Sequence, residues 1–297
     1  MYERRLLPIL PEGDAPLLPF FGLDTLWMQL TGTLCNIACR HCFITCGPKE
    51  DRVPMMTRER IEELLLEAAE LGVKEFYFTG GEPMLHPEFL AIVERTLQVG
   101  PTHVLTNGML IDRDRAQALR KLFDAARYSL DMRVSLDGMT EAENDPVRGR
   151  GTFAAITEGI RRLAEVGMSP VLTVVEHADA LRVASARSEF LDFARSLGLP
   201  QPRVKFLPLL RIGREPRRTR GYGDDDIVRD ALPDDIVRSL QCNNSRLATQ
   251  DHVLTCPLLL DAPDAQLGRR LADSLRPIHL RWSACHTCVQ EGLSCRT

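Results

Sequence analysis

Thr31-Gly32-Thr33-Leu34-Cys35-Asn36-Ile37-Ala38-Cys39-Arg40-His41-Cys42-Phe43-Ile44-Thr45-Cys46-Gly47 is a thiol-rich loop that follows a short apolar run, Leu26 to Gly32 (LWMQLTG). Cys35, Cys39 and Cys42 are spaced C-x3-C-x2-C. A short loop with those gaps can wrap one iron–sulfur cubane and reach three of its irons, because thiolates are the ligands such clusters take. The fourth iron then has no protein ligand and can hold a small molecule, as the open position of a catalytic metal site does. Spacing alone leaves a structural zinc site open, with Cys46 or His41 as fourth ligand, since zinc takes the same donors in closed sets of four. Cys46 reads as a nearby free thiol or packing residue, and His41 as a side chain that covers the cluster.

Outward from this loop, strand and helix patterns alternate. LWMQLTG is the first strand. Thr57 to Leu71 (TRERIEELLLEAAEL) has apolar residues at helical spacing and a threonine placed to cap it. KEFYFTGG is a buried-strand pattern ended by glycines. It is followed by a helix from about Pro87 to Gln98, a strand HVLTNG and a helix from about Arg113 to Ala126. MRVSLDG, TFAAITEGIRRLAEVG, PVLTVVE, a helix from about Leu181 to Leu197, and RVKFLPLL complete six β/α units. Such alternation predicts an α/β fold with a parallel sheet. Six units, not eight, fit a partial (β/α)6 TIM-like barrel. The chemistry then belongs at the carboxyl ends of the strands, where the cysteine loop, GGEP, TNG and SLDG all fall.

The chain has 297 residues, 44% hydrophobic and 26% charged, the composition of an ordinary globular protein. A net charge of −4 gives no electrostatic reason to expect a nucleic-acid partner. No secretory signal and no membrane-length apolar run is evident, so a cytoplasmic protein without a membrane partner is expected. In that setting clustered cysteines bind metal or do redox chemistry more often than they form disulfides. Of the nine cysteines, four lie between Cys35 and Cys46 and five between Cys242 and Cys295, which reads as two separate sites.

The expected division is an N-terminal extension (1–24), the barrel (25–210), a connecting loop (211–232) and a small cysteine-rich domain (233–297). RIGREPRRTRGYGDDDI, from Arg211, reads as a solvated connector; a substrate-facing loop with anion-binding arginines is the sharper alternative. In the last segment, metal ligation stands in for a large core. Cys242 and Cys256 form a C-x13-C half, Cys285 and Cys288 a C-x2-C half, and Cys295 follows. Spacing alone fits structural zinc there nearly as well as an iron–sulfur cluster.

Taken together these motifs resemble the radical S-adenosylmethionine (SAM) superfamily. The resemblance rests on the C-x3-C-x2-C loop, Gly80-Gly81-Glu82-Pro83, Thr106-Asn107-Gly108, Ser135-Leu136-Asp137-Gly138 and the segment from Arg148-Gly149 to Phe153, in that order. It implies a [4Fe–4S] cluster on Cys35, Cys39 and Cys42 that binds SAM and cleaves it reductively to a 5′-deoxyadenosyl radical. It also implies that Glu82 and the backbone of Gly80, Gly81 and Pro83 hold the methionyl amino group. Thr106 and Ser135 would meet the ribose or carboxylate, and Arg148 would pair with the carboxylate. The C-terminal segment resembles a twitch/SPASM-like auxiliary domain, implying one auxiliary [4Fe–4S] cluster on Cys242, Cys256, Cys285 and Cys288, with Cys295 able to replace one of them.

Three functions remain open on these grounds. The first is hydrogen abstraction from a small-molecule substrate, with a low-potential donor such as flavodoxin or ferredoxin. The second is modification of a ribosomally made peptide, which the short stretch before the first strand disfavours. The third is a non-catalytic metal-binding or redox-sensing protein, which the full motif set argues against.

Overall fold

The computed structural model of the protein describes residues 9–290 together with Gly292 and Leu293; Cys295 lies outside the described residues. In chain order the main elements are β1 (Leu17–Leu18), β2 (Thr25–Gln29), α1 (Arg58–Leu71), β3 (Glu75–Thr79), α2 (Phe89–Thr96), β4 (Thr102–Thr106), α3 (Arg113–Ala125) and β5 (Leu130–Ser135). They continue with α4 (Glu141–Arg148), α5 (Thr152–Glu165), β6 (Val171–Val175), α6 (Ala184–Ser196), β7 (Arg203–Leu207), α7 (Asp234–Ser239) and β8 (Ser245–Ala248). β9 (Val253–Leu254), β10 (Gln266–Gly268), β11 (Ile278–His279) and α8 (Cys285–Gln290) close the described chain.

Strands β2 to β7 lie side by side in chain order and all run parallel. Parallel neighbours need a long crossover, and the expected helices supply it between each pair. Alternation along the strands sorts side chains between two faces. On β2 and β3, Leu26, Met28, Phe76 and Phe78 enter the large core with Ile61, Leu64, Leu65, Ile92 and Val93 of the helices. Trp27 and Tyr77 face the other way and pack with Cys35 and Cys46. There Trp27 stacks on Tyr77 with ring centres 4.4 Å apart, Tyr77 on His103 at 4.3 Å, and the Arg133 guanidinium lies 4.8 Å above Tyr77. These rings fill the inner face at mid-strand, below the loops that carry the motifs.

Helix ends follow local chemistry. Thr57 caps α1 by accepting from the Arg60 amide, and Asp112 caps α3 by accepting from the Arg115 amide, satisfying donors that a first turn leaves orphaned. One helix was not expected. α4 holds Pro146 in its interior, which reads as a break, yet a Thr140–Glu143 capping box starts it and Asp145 then accepts from the Phe153 amide at the start of α5.

The C-terminal segment is continuous with the barrel sheet. β8 pairs parallel to β2 on its free side, Thr25 opposite Ser245, and β9 and β10 extend the sheet antiparallel. The N-terminal extension in turn is built into that segment. β1 pairs with β11, Ile9 bridges to Trp282, and the Phe21 amide donates to Asn243 O. Within residues 211–226, exposed at 217–220 and 224–225, one part packs on the cysteine loop. Gly213 packs on the carbonyls of Cys42 and Phe43, where a Cβ would have no room, and the Arg214 amide donates to Cys42 O at 3.0 Å. Arg211 pairs with Asp226 at 2.8 Å, folding the loop back on itself.

Candidate active site

The cysteine loop is seated on the end of β3 by backbone contact. A Cβ on Gly81 would lie 2.0 Å from Leu34 O and 2.7 Å from Cys35 N, so only glycine allows this approach. Gly80 is similarly crowded by Thr31. The Gly81 amide donates to Gly32 O and the Glu82 amide to Leu34 O, both at 3.0 Å. The two glycines are thus turned toward the loop, and Pro83 begins the short turn that follows.

Glu82 is fully buried at the next position. Its carboxylate accepts from Thr106 Oγ1 at 2.7 Å, the Asn107 amide at 2.8 Å and the Met84 amide at 3.1 Å. A carboxylate offers about four lone-pair positions, so this cradle leaves it one acceptor site. Burial pushes its carboxyl up, against the opposing pull of those three donors. Thr106, expected at a ribose or carboxylate, spends its hydroxyl on Glu82. Ser135 is half-buried at the end of β5. Asn107 reaches the cysteines, with Nδ2 2.7 Å from Asn36 Oδ1 and 3.8 Å from Cys35 Sγ.

Three buried charged or ionisable groups meet beside the loop. Asp137, wholly buried, lies 2.6 Å from His41 Nε2 and 2.7 Å from Arg148 Nε, and accepts from the Val175 amide. Burial alone would raise its carboxyl; Arg148, His41 and that amide outweigh burial and hold it well below the usual carboxylate range. Arg148 is only 6% exposed. Its charge is felt at Cys39. The other ring nitrogen of His41, Nδ1, is buried without a hydrogen-bond partner.

The thiols share one environment. Burial pushes Cys35 up to about 12, helped by Cys39 and Cys42, and pushes Cys39 up to about 11. Cys42 goes the other way: the Cys46 thiol donates to it, as does the Cys46 amide at 3.3 Å, so Cys42 is lowered and Cys46 raised. Cys46 is therefore a hydrogen-bond donor to Cys42. Among the described residues no three His, Cys, Asp or Glu side chains are grouped closely enough to chelate one metal ion.

At the C-terminal end, Cys285 and Cys288 border two small apolar clusters, one of which Cys256 also borders and the other Cys242. Burial, with Cys242 nearby, pushes Cys285 up to about 12.

A match to the Radical SAM superfamily model spans residues 30–177. That span holds the cysteine loop, Glu82 with its cradle, and the Asp137 group. This chain belongs to the radical SAM superfamily. Among curated relatives, the mycofactocin maturase MftC of Mycobacterium ulcerans (strain Agy99) is 34% identical over 152 residues, 50% of this chain and 39% of that protein. A probable GTP 3',8-cyclase of Methanococcus maripaludis (strain C6 / ATCC BAA-1332) is 26% identical over 177 residues, 59% of this chain and 56% of that protein. The chain therefore spans between two-fifths and three-fifths of the length of these relatives. Among solved structures, Streptococcus suis SuiB bound to precursor peptide SuiA superposes with a TM-score of 0.64 at 16% identity, covering 88% of this chain and 65% of that one. Native anSMEcpe with bound AdoMet gives 0.60 at 15% identity, covering 84% and 79%. At such identity the likeness concerns the fold, and it is the partial barrel expected from the six β/α units.

Radical SAM chemistry requires a [4Fe–4S] cluster and SAM, and the residues fit both. Cys35, Cys39 and Cys42 lie on one loop and sense one another, Cys35 buried and the other two half-buried, Glu82 keeps one open acceptor, and His41 Nδ1 is a buried nitrogen without a hydrogen-bond partner beside them. The sequence reading missed the Asp137 group, although His41 and SLDG were both in view, because nothing in spacing shows that residues 96 apart in the chain meet. It also missed Arg214, whose Nη1 donates to Cys39 O at 3.3 Å.

Proposed function

We propose that this chain is a radical SAM enzyme that abstracts hydrogen from an organic substrate, using one cluster on Cys35, Cys39 and Cys42 and a second, auxiliary [4Fe–4S] cluster in a twitch/SPASM-like C-terminal domain. The observation that carries it is the buried Glu82 cradle locked by Gly81 against the loop of Cys35. When bound, the cluster and SAM supply the 5′-deoxyadenosyl radical. The protein's share is positioning and exclusion of water. Glu82 takes the methionyl ammonium on its open acceptor site. Arg148, anchored through Nε on Asp137, lends a guanidinium to the SAM carboxylate, and Ser135 offers a hydroxyl to the same ligand. Gly80, Gly81 and Pro83 act by holding the loop and Glu82 in register. Cys242, Cys256, Cys285 and Cys288 hold the auxiliary cluster, with Cys295 as a fifth candidate, for electron transfer or structure.

A small-molecule substrate is the first reading. A cavity of about 690 Å³ opens at the carboxyl ends of β6 and β7, lined by Glu176, Lys205, Leu207, Arg211 and Leu293, within the size range of small-ligand sites. A peptide substrate is the second, favoured by relatives described as a maturase and as bound to a precursor peptide. Reduction would come from a flavodoxin- or ferredoxin-type donor. No helix among the described residues is long and apolar enough to cross a membrane, in keeping with a cytoplasmic enzyme.

The test is iron and sulfide per chain after anaerobic reconstitution, with EPR of the reduced protein with and without SAM. About eight irons falling to about four in a Cys35/Cys39/Cys42→Ala variant, with the SAM-perturbed signal lost, is the expected result. Zinc alone in both proteins would overturn the proposal. Stimulation of 5′-deoxyadenosine formation by peptides but not by small metabolites would select the second substrate reading.

A further inference from the structure

Arg246, on β8, is the largest fully buried side chain among the described residues, at 0% exposure. A guanidinium in that position normally has a carboxylate beside it, because an uncompensated buried charge costs several kcal/mol. Among the described residues no acidic group lies within ion-pair distance of Arg246. Its partners are backbone carbonyls: Nε donates to Ser274 O at 3.0 Å, Nη1 to Cys242 O and Ser245 O at 2.7 Å each, and Nη2 to Arg276 O at 2.8 Å. Its apolar cover is the Phe20 ring, 4.1 Å from the guanidinium carbon. Carbonyl dipoles satisfy four of the five N–H donors but carry no net negative charge. The countercharge must come from elsewhere. Two of the four C-terminal thiols, Cys242 and Cys256, are close enough to act on it, and Cys242 is tied to it directly through its carbonyl.

We propose that Arg246 is the built-in counter-ion of the auxiliary cluster. This rests on the auxiliary-cluster reading above. A cubane held by four thiolates carries a net charge of about −2, and its potential follows that charge, its hydrogen bonds and its exposure to solvent. A fixed cation in a water-poor site favours the more negative, reduced form. Arg246 thereby raises the potential of the auxiliary cluster, and it does so as a positioning and tuning residue that need not touch substrate. It also links three parts of the chain: Phe20 from the N-terminal extension, β8 from the sheet, and the turn at Ser274–Arg276.

The test uses the full chain in the Cys35/Cys39/Cys42→Ala background, so that only the C-terminal site can hold a cluster. Iron and zinc are counted first. Zinc in place of iron in this parent overturns the auxiliary-cluster reading itself, before any Arg246 variant is made. Given iron, Arg246→Lys and Arg246→Gln are compared by iron retention and by EPR-monitored redox titration. The proposal expects Gln to shift the reduction equilibrium at least tenfold toward the oxidised form, which is 59 mV for a one-electron couple, or to lose the cluster, while Lys keeps both iron and potential near the parent values. An unchanged potential in an iron-loaded Gln variant overturns it. Equal loss of the cluster in Lys and Gln also overturns it, because the carbonyl contacts alone would then be what the site needs.

Discussion

Gly81→Ala is the substitution for which the geometry gives the sharpest forecast. The new methyl group would lie 2.0 Å from Leu34 O, and real Cβ atoms essentially never come within 3.0 Å of a neighbour, so that carbonyl must retreat by at least 1.0 Å. The obstacle is backbone, fixed by the Glu82 amide on Leu34 O and the Cys35 amide on Gly47 O, and a side-chain rotation cannot relieve it. Overpacking of this kind costs about 1–3 kcal/mol, so the melting temperature should fall by about 2–4 °C for each kcal/mol lost in a domain of this size. Activity suffers more, because the displaced segment carries Cys35, and a 1 Å misplacement of reacting groups costs on the order of 10²-fold in rate. The assay is 5′-deoxyadenosine formed per minute from SAM with a chemical reductant, beside iron content and a thermal melt. Gly13→Ala, whose Cβ meets nothing within 4 Å, is the control. Wild-type iron and a wild-type rate in Gly81→Ala would refute the account of why the glycine is there.

Asp137→Asn keeps an acceptor for the Val175 amide but strips the charge between His41 and Arg148, leaving a buried guanidinium uncompensated; a loss of about 3–5 kcal/mol is expected in urea denaturation. The sign of its pH dependence follows from a carboxyl held below its ordinary value of about 3.9. The stabilisation is complete above that value and is lost as the pH falls through the lower folded-state value. With His41→Gln in both proteins, so that only the Arg148 pairing is read, the gap should be constant from about pH 5 upward and close only in strong acid; a gap that widened on acidification there would contradict the pairing. Thr106→Val removes one hydrogen bond from the Glu82 carboxylate, about 1.5–3 kcal/mol for a charged acceptor. If Glu82 holds SAM, the KM for SAM should rise roughly tenfold, and an unchanged KM would remove Glu82 from that role.

The six β/α units were legible because their strands are short and largely apolar and their helices amphipathic, so local pattern and tertiary demand agree. TRERIEELLLEAAEL carries its own cap, and KEFYFTGG ends on the glycines that the loop contact needs. What stayed hidden depends on contacts distant in sequence. α4 was hidden because Pro146, in its interior, speaks against a helix at that point. The RIGREPRRTRGYGDDDI stretch looks solvated by composition, yet Gly213 and Arg214 are pressed on the cysteine loop, a fact that only the folded geometry holds. Arg148 was picked out for its charge, but its anchor on Asp137 could not be read from spacing. Arg246 sat in plain view within CNNSRLATQ, where one arginine among polar residues gives no hint that it is buried without an acid.

The placement of β8 beside β2 sets an order on the making of this protein. Thr25 and its β3 partner Glu75 are 50 residues apart, whereas Thr25 and its β8 partner Ser245 are 220 apart. At roughly 5–20 residues per second of synthesis, one side of β2 waits on the order of 10–40 seconds for its neighbour. β2 is buried at every position in the finished sheet, and a bare apolar edge is a template for pairing with other chains. The most exposed moment of the nascent chain therefore falls between completion of the barrel and emergence of β8. Slowing translation just ahead of residue 245 should send more chains into aggregates without altering the activity of those that fold.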